Sequence, residues 1–166
     1  MLITNPEAKA FYTDFLRVRT INTDFYTLVP EDKFDHSDIN GARKSSTPRE
    51  FLAHQIDITR DYIEGVRSGE LKYGEHQKKR GEGVSPSKDE LLTEFKRTEQ
   101  ELKEILSDPD ISDKRVKVPW SKELIPAVSS LYGLSEHEVL HTGRNMCTME
   151  HLGMEKYPSL VNTWGK

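Results

Sequence analysis

Four stretches of the chain repeat their apolar residues with the period of an α-helix, and almost none alternates with the period of a strand. The first opens at Asn5, a capping residue, with Pro6 at the first helical position, and carries Phe11, Phe15, Val18, Phe25 and Leu28 at steps of three, four or seven. It predicts a helix to about Val29. The second opens in "TPRE", where Thr47 caps, Pro48 starts the helix and Glu50 reaches back to close a capping box, with Phe51, Ile58, Tyr62 and Val66 as its stripe. The third opens in "SKDE", with Ser87 and Glu90 ahead of Leu91, Leu92, Phe95, Leu102 and Ile105, and ends before Asp108-Pro109. The fourth runs from about Pro126 through Val128, Leu131, Leu134, His137, His141, Met149 and Leu152 to Gly153, a residue suited to a left-handed C-terminal turn.

Four helices of about 20 residues predict an all-α four-helix bundle, a single domain over residues 1–166. The inter-helix connections, residues 30–46, 69–86 and 108–124, are longer than the few residues usual between neighbouring bundle helices and rich in Gly, Pro, Asp and Ser. Such loops either cross the end of a bundle with non-adjacent helix order or cover a site. The first helix also carries more aromatic surface, at Phe11, Tyr12, Phe15, Phe25 and Tyr26, than the arc of about 100° that one core buries. The surplus predicts an exposed apolar face, for which a homodimer is the commonest closed solution; the alternative is that residues 30–46 fold back over it.

Composition narrows the function classes. With 34% hydrophobic and 31% charged residues and a mean hydropathy of -0.72, a soluble protein is expected whose apolar residues are gathered on particular faces. No stretch suits a membrane span, and "MLITNPEAKAFYTDF" lacks the basic segment and apolar run of a secretory leader, so a cytoplasmic location is expected. Cys147 is the single cysteine, which excludes an internal disulfide framework. A net charge of -4 and a pI near 5.9 argue against nucleic acid as a partner. The one dense basic run, Lys78-Lys79-Arg80, lies among glutamates and glycines and reads as a solvated loop.

The candidate chemistry lies in the histidines. His137-Glu138-Val139-Leu140-His141 matches the H-E-x-x-H pattern of zinc peptidases, in which two imidazoles four residues apart grip one metal and the glutamate handles water. His137 and His141 differ by about 40° after a full helical turn and so present together. His54, in "FLAHQIDI", lies three residues after Phe51 and four before Ile58, on the inward face of the second helix. Three histidines converging on one interior are costly to bury without a metal or a network of partners. His36 and His76 fall in loops and are expected in solvent, and His151 lies ten residues past His141, about 15 Å along the helix and too far to share an ion. Cys147 has the offset of a third peptidase ligand, but the helical spacing of "RNMCTMEHL" turns it about 120° from His141, so it reads as a small packing residue. Glu138, about 100° round from His137, reads as a carboxylate that faces solvent or braces a ligand from behind.

Taken together, "FLAHQIDITRDYIEGV", "SKDELLTEFKRTEQELKEIL" and "EHEVLHTGRNMCTMEHLGMEKYP" resemble the DinB-like metal-binding four-helix bundles, the superfamily that also includes the bacillithiol and mycothiol S-transferases. The resemblance spans nearly the whole chain. It implies one divalent ion, zinc or nickel, held by His54, His137 and His141, and it favours pairing into a homodimer. The family's usual His-Arg-Gly-Gln run is here His141-Thr142-Gly143-Arg144, so the resemblance carries the metal triad and no particular substrate. Three histidines leave coordination positions free, as a catalytic site does. The expected function is therefore a metal-dependent enzyme on a small molecule: an S-transferase using a low-molecular-weight thiol, or a hydrolase. The alternatives are a stress-associated protein that binds metal and ligand without turnover and, with less support, a zinc peptidase, which also needs a third ligand and normally a sheet edge for its substrate.

Overall fold

The computed structural model describes residues 2–37, 39–40, 43–44, 46–80 and 86–165. Its helices are α1 (Pro6–Leu28), α2 (Pro48–Ser68), α3 (Glu75–Arg80), α4 (Lys88–Leu106), α5 (Ala127–His151) and α6 (Pro158–Trp164). Two antiparallel pairs of two-residue strands sit in the connections: β1 (Ile39–Asn40) with β2 (Arg43–Lys44), and β3 (Arg115–Val116) with β4 (Ile125–Pro126). The helices start where local chemistry dictates. Asn5 Oδ1 accepts from Ala8 N at 2.9 Å, and the Thr47–Glu50 and Ser87–Glu90 boxes are closed in both directions. Gly69, with φ of +81°, turns the chain off the end of α2.

The four long helices form the bundle, with α1 against α5 and α4, and α2 against α4 and α5. Helix direction follows from the two apolar clusters. One gathers Phe11 and Phe15 from the start of α1 with Ile63 and Val66, Leu102 and Ile105, and Val128 and Leu131. The other gathers Ile21 and Phe25 with Leu52 and Ile56, Leu91 and Phe95, and Met149. Helices α1 and α5 therefore run one way and α2 and α4 the other, an up-down-down-up order. This order explains the long connections. Helices α1 and α2, and α4 and α5, are diagonal pairs joined across an end, and because α2 and α4 are parallel the start of α4 lies about 30 Å back along the bundle from the end of α2. Two backbone bonds of 2.9 Å, Leu71 N to Lys117 O and Lys117 N to Gly69 O, tie the second of these connections to the third.

Several expectations change. The aromatic residues of α1 are not left outside: Phe11, Phe15, Phe25 and Tyr26 are at most 1% exposed and Tyr12 is half-buried. Helix α1 contacts α4, α5 and α6, so its buried arc is wider than one seam, and the homodimer loses the apolar face it was inferred from. The returning loop contributes, since Phe34 is fully buried in the second apolar cluster; residues 38, 41, 42 and 45 of that connection lie outside the described ones. In α2 the buried positions include Leu52, Ile56 and Ile63 beside Tyr62 and Val66, while Phe51 and Ile58 are half-buried along one edge. The basic run belongs to the short helix α3, not to a loop, and residues 81–85 after it lie outside the described ones. Cys147 is exposed and packs nowhere in the core. Among the described residues no helix is long and apolar enough to cross a membrane.

Candidate metal centre

His54, His137 and His141 meet at the seam where α2 and α5 pack. His54 Nε2 lies 3.0 Å from His137 Nε2, and His141 Nε2 lies 3.2 Å from His137 Nε2. Two imidazole nitrogens each about 2.0–2.1 Å from one ion, at roughly tetrahedral or octahedral angles, lie about 3.0–3.4 Å apart, so both spacings to His137 suit a shared divalent ion, and the three ligand atoms all lie within 4.8 Å of one another. His141 is buried and the other two are half-buried. The Nδ1 atoms of His137 and His141 have no hydrogen-bond partner, so packing orients these rings. The Phe51 ring meets His141 edge-on at 5.4 Å, and the His137 and His141 rings lie 4.5 Å apart.

Burial lowers the pKa of all three imidazoles, and for His137 and His141 the neighbouring imidazoles add to the effect. His137 is brought down to about 4 and His141 to about 3; Asp57 and Asp61 act the other way on His54. At neutral pH the triad is uncharged, the state in which imidazole donates a lone pair to a metal.

Glu138 does not face solvent, and its surroundings correct that reading. It is fully buried on the core side of α5, where Oε1 accepts from Arg19 Nη2 at 2.8 Å and Oε2 accepts from Asn22 Nδ2 at 2.8 Å and Gln55 Nε2 at 3.1 Å. Arg19, 1% exposed, also donates to Thr59 Oγ1 at 2.7 Å, and its guanidinium lies 3.9 Å from the centre of the Phe95 ring. Tyr26 donates to Gln55 Oε1 at 2.6 Å, and Asn145 Nδ2 donates to Asn22 Oδ1 at 3.0 Å. The result is a polar layer across the bundle between the two apolar clusters. Burial pushes the Glu138 carboxyl up, and Arg19, Asn22 and Gln55 pull it back. Both carboxylate oxygens are taken by these donors, and none of these bonds is to an imidazole of the triad, so Glu138 does not stand as the general base that the peptidase pattern assigns to it.

The triad opens on a cleft of about 630 Å³ lined also by Ser46, Glu50, Phe51, Gln77, Leu140 and Arg144. The Arg144 guanidinium lies 5.4 Å from the centre of the Phe51 ring, holding a positive charge on the wall. The remaining histidines stay away from the triad. His36 stacks on His151 at 5.6 Å. His76 is half-buried and not in solvent, its Nδ1 2.7 Å from Oδ1 of the buried Asp61. Sequence reasoning missed Arg19 and Asn22 as partners of Glu138, although Phe15, Arg19, Asn22 and Tyr26 follow one another at steps of four, three and four and so share the inward face of α1.

Neither a family model nor a curated protein matches the sequence. The fold has a match among solved structures: the crystal structure of a DinB-like protein, YjoA, from Bacillus subtilis is similar over 90% of this chain and 96% of that one, at a TM-score of 0.65 and 16% identity. The shared helical architecture extends over nearly the whole of both chains, and this chain has the DinB-like four-helix-bundle fold.

Proposed function

We propose that the protein is a divalent-metal-dependent enzyme that joins a small nucleophile, a low-molecular-weight thiol or water, to a small-molecule electrophile. The observation that carries this reading is the set of three Nε2 atoms at 3.0 and 3.2 Å on the wall of an open cleft. His54, His137 and His141 would hold the ion, and zinc and nickel both suit an all-imidazole set. Bound there, such an ion supplies Lewis acidity and lowers the pKa of a thiol or water brought to it. The chain's own residues do the rest. Arg144 offers an anionic group of the substrate a charge-assisted hydrogen bond, while Glu50 on the same wall disfavours a second anion. Phe51 and Leu140 make part of the wall apolar and reduce the water around the triad.

The test is turnover by the metal-loaded protein. A panel of thiol cosubstrates with activated electrophiles, run beside hydrolysis of activated esters and amides, should give activity that Arg144→Ala weakens mainly through KM. Full metal loading with no turnover in any arm would sink the enzyme reading in favour of a binding protein. Peptide hydrolysis abolished by Glu138→Gln would restore the peptidase.

A further inference from the structure

A second cleft, of about 410 Å³, opens on the other side of His137 and has no role in that reading. Tyr62, Tyr73, Trp120, Ile58, Leu140 and Glu136 line it, and His137 and Leu140 separate it from the cleft of the triad.

Its aromatic wall is built. A Cβ at Gly133 would fall 2.5 Å from Tyr62 Oη, so a glycine inside α5, where it is otherwise unfavourable, makes room for that hydroxyl. The Tyr62 and Tyr73 hydroxyls are then 2.8 Å apart, and the Tyr73 ring stacks on Trp120 at 6.3 Å and 27°. Tyr73 and Trp120 come from different connections, those tied together through Leu71, Lys117 and Gly69. The buried Asp61 anchors the first of them, accepting from Gly74 N at 2.7 Å. Yet Tyr73 and Trp120 remain 43% and 54% exposed, aromatic surface held in place and turned to solvent.

The chemistry of the lining selects a sign of charge. Aromatic faces are electronegative, and among the described residues no lysine or arginine side chain lines the cleft and the exposed Glu136 has no ion-pair partner. A cation meets the ring faces and the Glu136 carboxylate there, whereas an anion finds no opposite charge among the described lining residues. We infer that this cleft is a subsite for an organic cation, an ammonium or alkylammonium group of the substrate seated against Trp120, Tyr73 and Tyr62 and neutralised by Glu136. Its place in turnover rests on the metal-enzyme reading, but binding of the cation does not. A substrate spanning both clefts would carry its cationic group on one side of His137 and its anionic group, toward Arg144, on the other.

Calorimetric titration of the full chain with choline, and with its neutral isostere 3,3-dimethyl-1-butanol, tests this in metal-free and zinc-loaded protein. Choline should bind about tenfold more tightly than the isostere. Glu136→Gln and Trp120→Ala should each weaken choline several-fold while circular dichroism is unchanged. Equal binding of the two ligands, no choline binding, or choline binding untouched by both substitutions overturns the subsite. His54→Ala separates the two readings: choline binding retained as metal is lost supports both, whereas choline binding by a chain that never takes up metal supports the subsite and removes the metal enzyme.

Discussion

Glu138 shows how one residue inside a metal-like motif can serve the core. Its carboxylate neutralises the buried Arg19, so Glu138→Ala leaves a guanidinium without its hydrogen-bonded counter-charge and should lower stability by about 3–5 kcal/mol in urea denaturation. A loss under about 1 kcal/mol would contradict the layer as described. Glu138→Gln should keep its metal, because the carboxylate is hydrogen-bonded to Arg19, Asn22 and Gln55 and not to the imidazoles. The histidines predict a pH dependence of their own. Folded pKa values near 4 for His137 and 3 for His141 lie below the unfolded value of about 6.5, so between them the unfolded chain binds more protons and stability rises with pH. In the chelated protein the urea midpoint should be level above about pH 7 and fall as the pH drops through 6 toward 4. His137→Ala should flatten that slope; a midpoint that climbs on acidification would contradict the assignment.

At the scale of elements, what was legible in the sequence was what is decided locally. Thr47 with Glu50 and Ser87 with Glu90 mark helix starts because a capping box needs only four residues, and Gly153 marks a stop because its φ of +64° suits glycine. Helix α6, with Pro158 at its first turn and Gly165 after it, was missed, because its seven residues are too few for a period to show. The helix order was not legible, because it depends on which pairs bury the most surface and no local feature records that. The long crossover between α2 and α4 is held by Asp61, which accepts from Gly74 N, His76 N and the His76 ring. Asp61→Ala should cost about 1–3 kcal/mol and speed limited proteolysis within residues 69–87. Unchanged cleavage would mean that the strand-like ties through Lys117 suffice.

Across the whole molecule, two apolar clusters enclose a polar layer, and the histidine triad opens from the α2–α5 seam beside that layer, next to Gln55 and Glu138. The convergence of the triad was readable because residues four apart on α5 share a face and because His54 falls between Phe51 and Ile58, which lie with it along the half-buried edge of α2. Glu138 was misjudged because its angle from His137 was known but not the neighbour it meets: α5 packs against α1 as well as α2, which turns that side into the core. The homodimer stands as a proposal without the α1 aromatics behind it. Light scattering decides it, with 19.1 kDa for a single chain and twice that for a pair. The central claim is the shared ion. Elemental analysis of the purified protein, after equilibration with zinc or nickel and removal of excess, should find one divalent ion per chain, falling to near zero in both His54→Ala and His141→Ala. Full metal content in those two variants, or none in the unaltered chain, would contradict the account.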